Sequence, residues 1–421
     1  MVVTVLALAT ACGGGEGTPA PPTSPTAPAA TADTAGAASI TEAPADPTIA
    51  GTASVPTADP TTDPTTDDTL ESSAHGATLR DVDELNRIID DFVAERGLEG
   101  AGFVVVDRDH GVVHEHYAGT FSPDRVSLVA SSSKAVSAGV LMRLHEDGVL
   151  DIDAPVADVV AWGAANPDIT PAQLVSNSSG LVGLGPDLGY PPYACQWEPA
   201  DSLLACGEAI FTTTADDDDV IEPDTRFRYG GGQWQVAGAV AEAASGRSWA
   251  ELIEEIYVEP CGLGTFGYAN PYSDVPDAGF DYPRWLADDP GRLEETRNPN
   301  IEAGLYVTPG DYAALLLMHL RGGRCGDEQV LSPGAVDRLH ADRIGAVYGG
   351  SAGPLGGYGM GWWVDRVTGR RRDDGAFGSV PWLDLDDGYG AYLVIEADSR
   401  TGGELAELLF DPLDAVMATS D

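Results

Sequence analysis

The sequence predicts an α+β fold: an antiparallel sheet flanked by helices, with a mostly helical insertion between its strands. Three observations carry that expectation. Two strand-like runs near the start of the globular part are joined by a short polar turn. A strand and an amphipathic helix close the chain. The stretch between them is mostly helical in pattern.

The elements follow in order. Residues 1–11 form a short apolar run ending in small residues, and Ala9-Thr10-Ala11-Cys12 has the form of a lipoprotein cleavage box. The run is too short to span a bilayer, so it reads as the end of a signal peptide, with Cys12 as the lipidation site. A basic stretch ahead of it is missing, so the natural start is expected upstream. Residues 12–79 then carry the lipidated cysteine and a Thr/Pro/Ala-rich linker with almost no large apolar side chains. Such a segment buries too little surface to offset its ordering entropy. As a coil it would hold the rest of the chain on the order of 50 Å from its anchor.

Residues 80–421 are the globular part, of a size that suits one large domain or two interleaved subdomains. Leu79, Val82, Leu85, Ile88, Ile89 and Phe92 recur at helical spacing until Gly97 and Gly100 stop the pattern. Gly102 to Asp107 and Gly111 to Tyr117 read as strands of a hairpin turning at Arg108-Asp109-His110. Gly390 to Glu396 reads as a strand, and Glu404 to Met417 as an amphipathic helix.

Formal net charge is -45. Nucleic acid and anionic membrane surfaces are therefore not expected as partners. The run Asp216-Asp217-Asp218-Asp219 is expected to be a solvated loop rather than a calcium site. Beyond Cys12, the four cysteines Cys195, Cys206, Cys261 and Cys325 suit an oxidising compartment outside the cell. Cys195–Cys206 would close a short loop and Cys261–Cys325 would tie distant segments, but four cysteines allow three pairings. His114 and His116 share a strand face and are expected to be ordinary surface rather than metal ligands. Gly349-Gly350-Ser351-Ala352-Gly353 has the spacing of a nucleophile elbow, but Pro354 and Gly356-Gly357 follow, so a flexible loop is expected.

The chemistry is expected at Ala130-Ser131-Ser132-Ser133-Lys134, a small-residue corner leading into a helix that Glu146-Asp147-Gly148 ends. Lys134 lies one turn beyond Ser131 on the same face. A serine hydroxyl needs a neighbouring base, and a desolvated lysine can serve. The 22 Lys and Arg residues include one lysine, Lys134. Arginine cannot give up its proton in a protein, whereas a buried lysine can. The helix N-terminus adds N–H groups that favour a developing oxyanion.

From about Leu79 to Glu396 the sequence resembles the serine β-lactamase-related family of class C β-lactamases, D,D-carboxypeptidases and esterases. The matches are Ser131 to Lys134, Gly148 to Val156, Ile169 to Leu181, Pro223 to Gly238, Ala303-Gly304-Leu305 and Tyr358 to Trp362. The resemblance implies the β-lactamase/transpeptidase-like fold and places Tyr229 beside Ser131 and Lys134 in proton transfer. It puts Gly231 where relatives carry an asparagine that positions substrate. It also puts Asp373-Asp374-Gly375 where they carry Lys-Thr-Gly or His-x-Gly. Gly375 would permit close backbone approach, and the amides of Ser131 and Ala376 would form the oxyanion hole. Asp373 would repel a substrate carboxylate, and it could pair with Lys134 and keep it protonated.

The expectation is thus an exported, membrane-tethered serine hydrolase that works through an acyl-enzyme on esters or amides. Its substrate is a small molecule or peptide, no metal or organic cofactor is needed, and a monomer is expected. The alternatives are a β-lactamase or D,D-carboxypeptidase, and a degenerate relative that only binds cell-wall peptides.

Overall fold

The computed structural model describes residues 82–185, 189–199, 202–272 and 296–418, with 282, 283, 286 and 293 between them. The expected signal peptide, Cys12 and the linker lie outside the described residues, as do the first three positions of the expected first helix. Among the described residues no helix is long and apolar enough to cross a membrane.

Helix α1 spans Asp83–Arg96 and ends on Gly97, whose φ of 63° is the left-handed cap that glycine adopts freely. Strands β1 (Gly100–Asp107) and β2 (Gly111–Gly119) form the expected hairpin. In chain order the remaining strands are β3 (Ser127–Leu128), β4 (Phe266–Tyr268), β5 (Leu305–Val307), β6 (Arg324–Cys325) and β7 (Glu328–Gln329). They continue with β8 (Gly356–Tyr358), β9 (Trp363–Asp365), β10 (Arg371–Arg372), β11 (Ser379–Asp384) and β12 (Tyr389–Val394). One seven-stranded sheet runs β2-β1-β12-β11-β10-β9-β8, and its named pairings are antiparallel. The sheet thereby joins the two ends of the globular part, Phe103 opposite Leu393 and Val105 opposite Ala391.

Both faces of this sheet are covered, and strand alternation sorts the side chains between them. Phe103, Val105, Trp382 and Leu393 pack on Leu85 and Ile89 of α1 and on Leu405 and Leu409 of the C-terminal helix Ser399–Met417. Val104, Val106, Tyr392 and Val394 face the larger core beneath helix Pro309–Leu320. Each fully buried aliphatic or aromatic side chain there contributes about 1.5–3 kcal/mol.

Helix α2 (Lys134–Glu146) runs through that larger core, with ten of its residues buried around nearly the whole circumference. That surround leaves it weakly amphipathic, as a helix enclosed on every side should be. Gly139 is needed for the packing, because a Cβ there would lie 2.0 Å from the Tyr257 hydroxyl. On the helical side sit α3 (Pro171–Val175), α4 (Leu203–Thr212) and α5 (Gly232–Ser245). The arrangement is the expected α+β one, an antiparallel sheet flanked by helices.

The cysteines are joined Cys195–Cys206 and Cys261–Cys325. His114 and His116 bond Asn86 and Asp90 of α1. Gly349 caps the short helix Arg343–Tyr348, so the elbow-like stretch has a helix before it rather than a strand. The acidic run departs from expectation at one position. Asp216 is buried and accepts the Tyr193 hydroxyl, while Asp217 to Asp219 are exposed. A phenol buried in the same place needs an acceptor, and Asp216 supplies it.

Candidate active site

Ser131 sits in a 3-10 turn, Ala130–Ser133, immediately before α2. Its neighbour Ala130 has φ of 48°, a conformation an alanine adopts only when its surroundings enforce it. The enforcement is visible. The Ser132 hydroxyl donates to the Asp373 carbonyl at 2.6 Å, and the Ser133 hydroxyl donates to the Ala130 carbonyl at 2.6 Å. The Leu305 amide donates to the Ser133 hydroxyl at 3.0 Å. The hydroxyls of Tyr312 and Tyr268 donate to the carbonyls of Ser132 and Ser133. Sheet, helix and small sheet thus hold one turn from three sides, and Ser131 is the partly exposed residue in it.

Lys134 begins α2 and is fully buried. Its Nζ donates to Ser131 Oγ at 3.0 Å and to the Glu302 carbonyl at 3.2 Å. It also lies 3.1 Å from Glu302 Oε2 and 4.7 Å from the centre of the Tyr229 ring. Burial by itself pushes the ammonium down. The Glu302 carboxylate, with Tyr229 and Asp373 behind it, outweighs burial and holds Lys134 above its usual value. The lysine expected to shed its proton through desolvation is therefore held as an ammonium, because a carboxylate is buried with it.

Tyr229 precedes α5, in a segment fixed by the Arg228 amide donating to the Asn177 carbonyl and the Gly230 amide to Asn177 Oδ1. Its ring packs against Trp363 and Tyr358, and Ser131 acts on its hydroxyl, favouring the phenolate, as Lys134 does. Burial raises its pKa, against the pull of Lys134, so it rests as a phenol. The structure thus brings Ser131, Lys134 and Tyr229 together.

Gly231 has φ of 83° and donates its N–H to Glu302 Oε2 at 3.0 Å. A Cβ there would sit 3.0 Å from the backbone of Gly183 and Val182. The site therefore has no side chain at this position, and a carboxylate stands close by.

Asp373 is placed differently from its expected role at the substrate. Its side chain is fully buried and Oδ2 accepts the Ala135 N–H of the first turn of α2 at 2.9 Å. The helix N-terminus draws it inward, and burial raises its pKa well above the usual range. The ion partner of Lys134 is Glu302, not Asp373. Gly375 is required by close approach, since a Cβ would lie 2.1 Å from the Val129 carbonyl and 3.0 Å from Ser132 Oγ. The backbone it admits is that of the nucleophile turn. Ala376 follows Gly375 in the turn that leads into β11, partly buried beside Leu128 and Ala130.

Glu302 and Asn177 are the residues that sequence reasoning missed. Asn177 Oδ1 gathers N–H groups from Gly230, Gln233 and Trp234 and so fixes the entry to α5. Elsewhere, His145, Asp151 and Asp153 lie close enough to share an ion, but Arg338 already donates to Asp153 at the surface.

Comparisons with known proteins bear on the family and the fold. The family model described as Beta-lactamase matches residues 85–411. Penicillin-binding protein 4 of Amycolatopsis lactamdurans is 24% identical over 344 residues, covering 76% of this chain and 84% of that one. Among solved structures, a penicillin-binding protein homologue from Caulobacter crescentus superimposes with a TM-score of 0.60 at 20% identity, covering 78% of this chain and 97% of that one. EstCE1, a hydrolase with promiscuous acyltransferase activity, gives a TM-score of 0.60 at 18% identity, covering 74% and 92%. At those identities the two structures speak for the fold.

Proposed function

The chain belongs to the beta-lactamase family, and from that premise we propose that it is an exported serine hydrolase working through an acyl-enzyme on esters or amides. The observation that carries the reading is the fully buried Lys134 ammonium 3.0 Å from Ser131 Oγ. A lysine on an ordinary solvent-facing helix would have no reason to be there.

Ser131 Oγ attacks the acyl carbon, and its proton leaves through Lys134 and Tyr229. The amides of Ser131 and Ala376 hold the oxyanion, and water releases the acyl group. Esters and amides are favoured over β-lactams and D-Ala-D-Ala peptides on two grounds. Position 231 has no amide to grip such a substrate, and position 373 offers a carboxylate turned inward rather than a cation for the substrate carboxylate. The two disulfides support export. Lipidation of Cys12 followed by a tether over residues 12–79 would place the enzyme on the outer face of the membrane.

A fluorophosphonate probe tests the reading. Covalent labelling at Ser131 that Ser131→Ala abolishes is expected, and Lys134→Arg should lose about a hundredfold or more. Folded wild-type protein that takes no label between mildly acidic and mildly basic pH would point instead to a binding protein. A penicillin adduct on Ser131, read by mass spectrometry, would overturn the preference for esters and amides.

A further inference from the structure

Glu302 touches the two groups that the nucleophile depends on. Its Oε2 lies 3.1 Å from Lys134 Nζ and accepts the Gly231 N–H at 3.0 Å, while its carbonyl accepts a second Lys134 hydrogen bond at 3.2 Å. The side chain is 3% exposed, and Oε1 has no hydrogen-bond partner among the described residues. The titratable groups facing this pair are Tyr229, Tyr272, Tyr358 and Asp373. Burial raises all four, so the tyrosines stay phenols and Asp373 holds a proton more readily than an exposed aspartate does. Ser131 therefore faces an ammonium and a phenol, neither of which has a free lone pair of sufficient basicity to take its proton. The group that can accept a proton from the ammonium is the Glu302 carboxylate, whose Oε2 lies 3.1 Å from Nζ.

We propose that Glu302 is a positioning residue that makes the buried Lys134–Glu302 ion pair, rather than a free amine, the proton-handling unit of the site. The inference rests on the reading of Ser131 as the acylating nucleophile. In the acylation step Ser131 Oγ forms its bond to the acyl carbon, and the carbonyl π pair moves onto oxygen. The Oγ proton passes to Lys134 Nζ, and one Nζ proton passes to Glu302 Oε2. Lys134 ends as an ammonium and Glu302 as a carboxylic acid. When the tetrahedral intermediate collapses, the bond to the leaving oxygen or nitrogen breaks. That atom keeps the electron pair and takes the proton back through Lys134 and Tyr229.

The single lysine makes the test direct. Protein grown on lysine carrying 13C at Cε gives one lysine resonance, whose shift reports the charge of Lys134. This signal is followed from about pH 6 to about pH 9 alongside the rate of fluorophosphonate labelling, in wild type and in Glu302→Gln. In wild type the signal is expected to stay at the ammonium position and the labelling rate to stay level. In Glu302→Gln the signal is expected to titrate below the ordinary lysine range. The labelling rate should then follow the neutral amine, falling about tenfold per pH unit below that midpoint. A wild-type rate that climbs tenfold per pH unit while the signal remains ammonium overturns the relay, and this arm needs no variant to fold. A Glu302→Gln protein whose signal matches that of wild type overturns it as well. Wild type that never labels overturns the hydrolase reading itself, whereas wild type that labels while the Glu302→Gln signal is unchanged overturns the relay alone.

Discussion

Replacing Lys134 by methionine removes one charge from a pair that water does not reach. The ammonium is fully buried, Glu302 is 3% exposed, and 3.1 Å separates them. Methionine matches the length of the lysine stem, so packing is roughly conserved and the change is mainly electrostatic. What remains is a buried carboxylate whose one hydrogen bond among the described residues is from the Gly231 N–H. Breaking a pair of this kind by removing one partner costs about 3–5 kcal/mol, because the other charge is left uncompensated. Against a typical total of about 5–15 kcal/mol that is a large loss. The double variant Lys134→Met/Glu302→Gln removes both charges and should recover a good part of it, giving a coupling of about 2 kcal/mol or more. Urea denaturation followed by tryptophan fluorescence gives all four corners of the cycle. A Lys134→Met protein within about 1 kcal/mol of wild type, or singles that add within about 0.5 kcal/mol, would refute the reasoning. It would mean that water reaches the pair and that its strength is that of a surface ion pair.

Two further outcomes follow from the same structure. Gly231→Asn restores the amide that relatives carry but forces a side chain onto a backbone with φ of 83° and into contact 3.0 Å from Gly183 and Val182. It should lower stability by about 1–3 kcal/mol and slow fluorophosphonate labelling rather than speed it, as melting and labelling rates will report. His319 lies buried against His340 and Trp362, and burial lowers its pKa from 6.5 to about 4. The unfolded chain binds a proton that the folded chain refuses, so stability is lost as pH falls from 6.5 towards about 4. The loss approaches about 3 kcal/mol, and His319→Gln should flatten that slope in urea midpoints measured across the range.

Much of the fold was legible because it is written in short-range periodicity. The helix before Gly97, the hairpin turning at Asp109 and the closing strand and helix each repeat an apolar spacing over enough residues to be read. The order of the sheet was not. β12 pairs with β1 across almost the whole globular chain, and β8, β9 and β10 are two or three residues each, too short for alternation to show. α2 escaped an amphipathic description for the opposite reason: it has almost no polar face. At the site, Ser131 and Lys134 announced themselves through residue type and spacing, and Tyr229 through the family resemblance alone. Glu302 did not, being one carboxylate among 67 acidic residues in a segment with no period. The faint signal was indirect. A glycine in place of an amide at 231 left room and an unpaired N–H that some other acceptor had to fill.

That exchange bears on how such a site is built. An amide beside the lysine would be neutral, leaving burial free to push the ammonium down towards a usable base. A carboxylate in the same space does the reverse, and it needs the backbone room that glycines at 230 and 231 provide, since a Cβ on Gly230 would come within 2.7 Å of Oε2. The glycines and the glutamate are therefore one structural choice, and neither makes sense without the other. A base used as a free amine would have been served by removing Glu302, at the gain of one fewer buried charge. Keeping it costs desolvation of two ions, and the return is a proton acceptor that stays paired with Lys134 across the neutral pH range. The glutamate belongs to the proposed chemistry for the same reason that the lysine does: each is buried 3.1 Å from the other, where it offsets the other's charge.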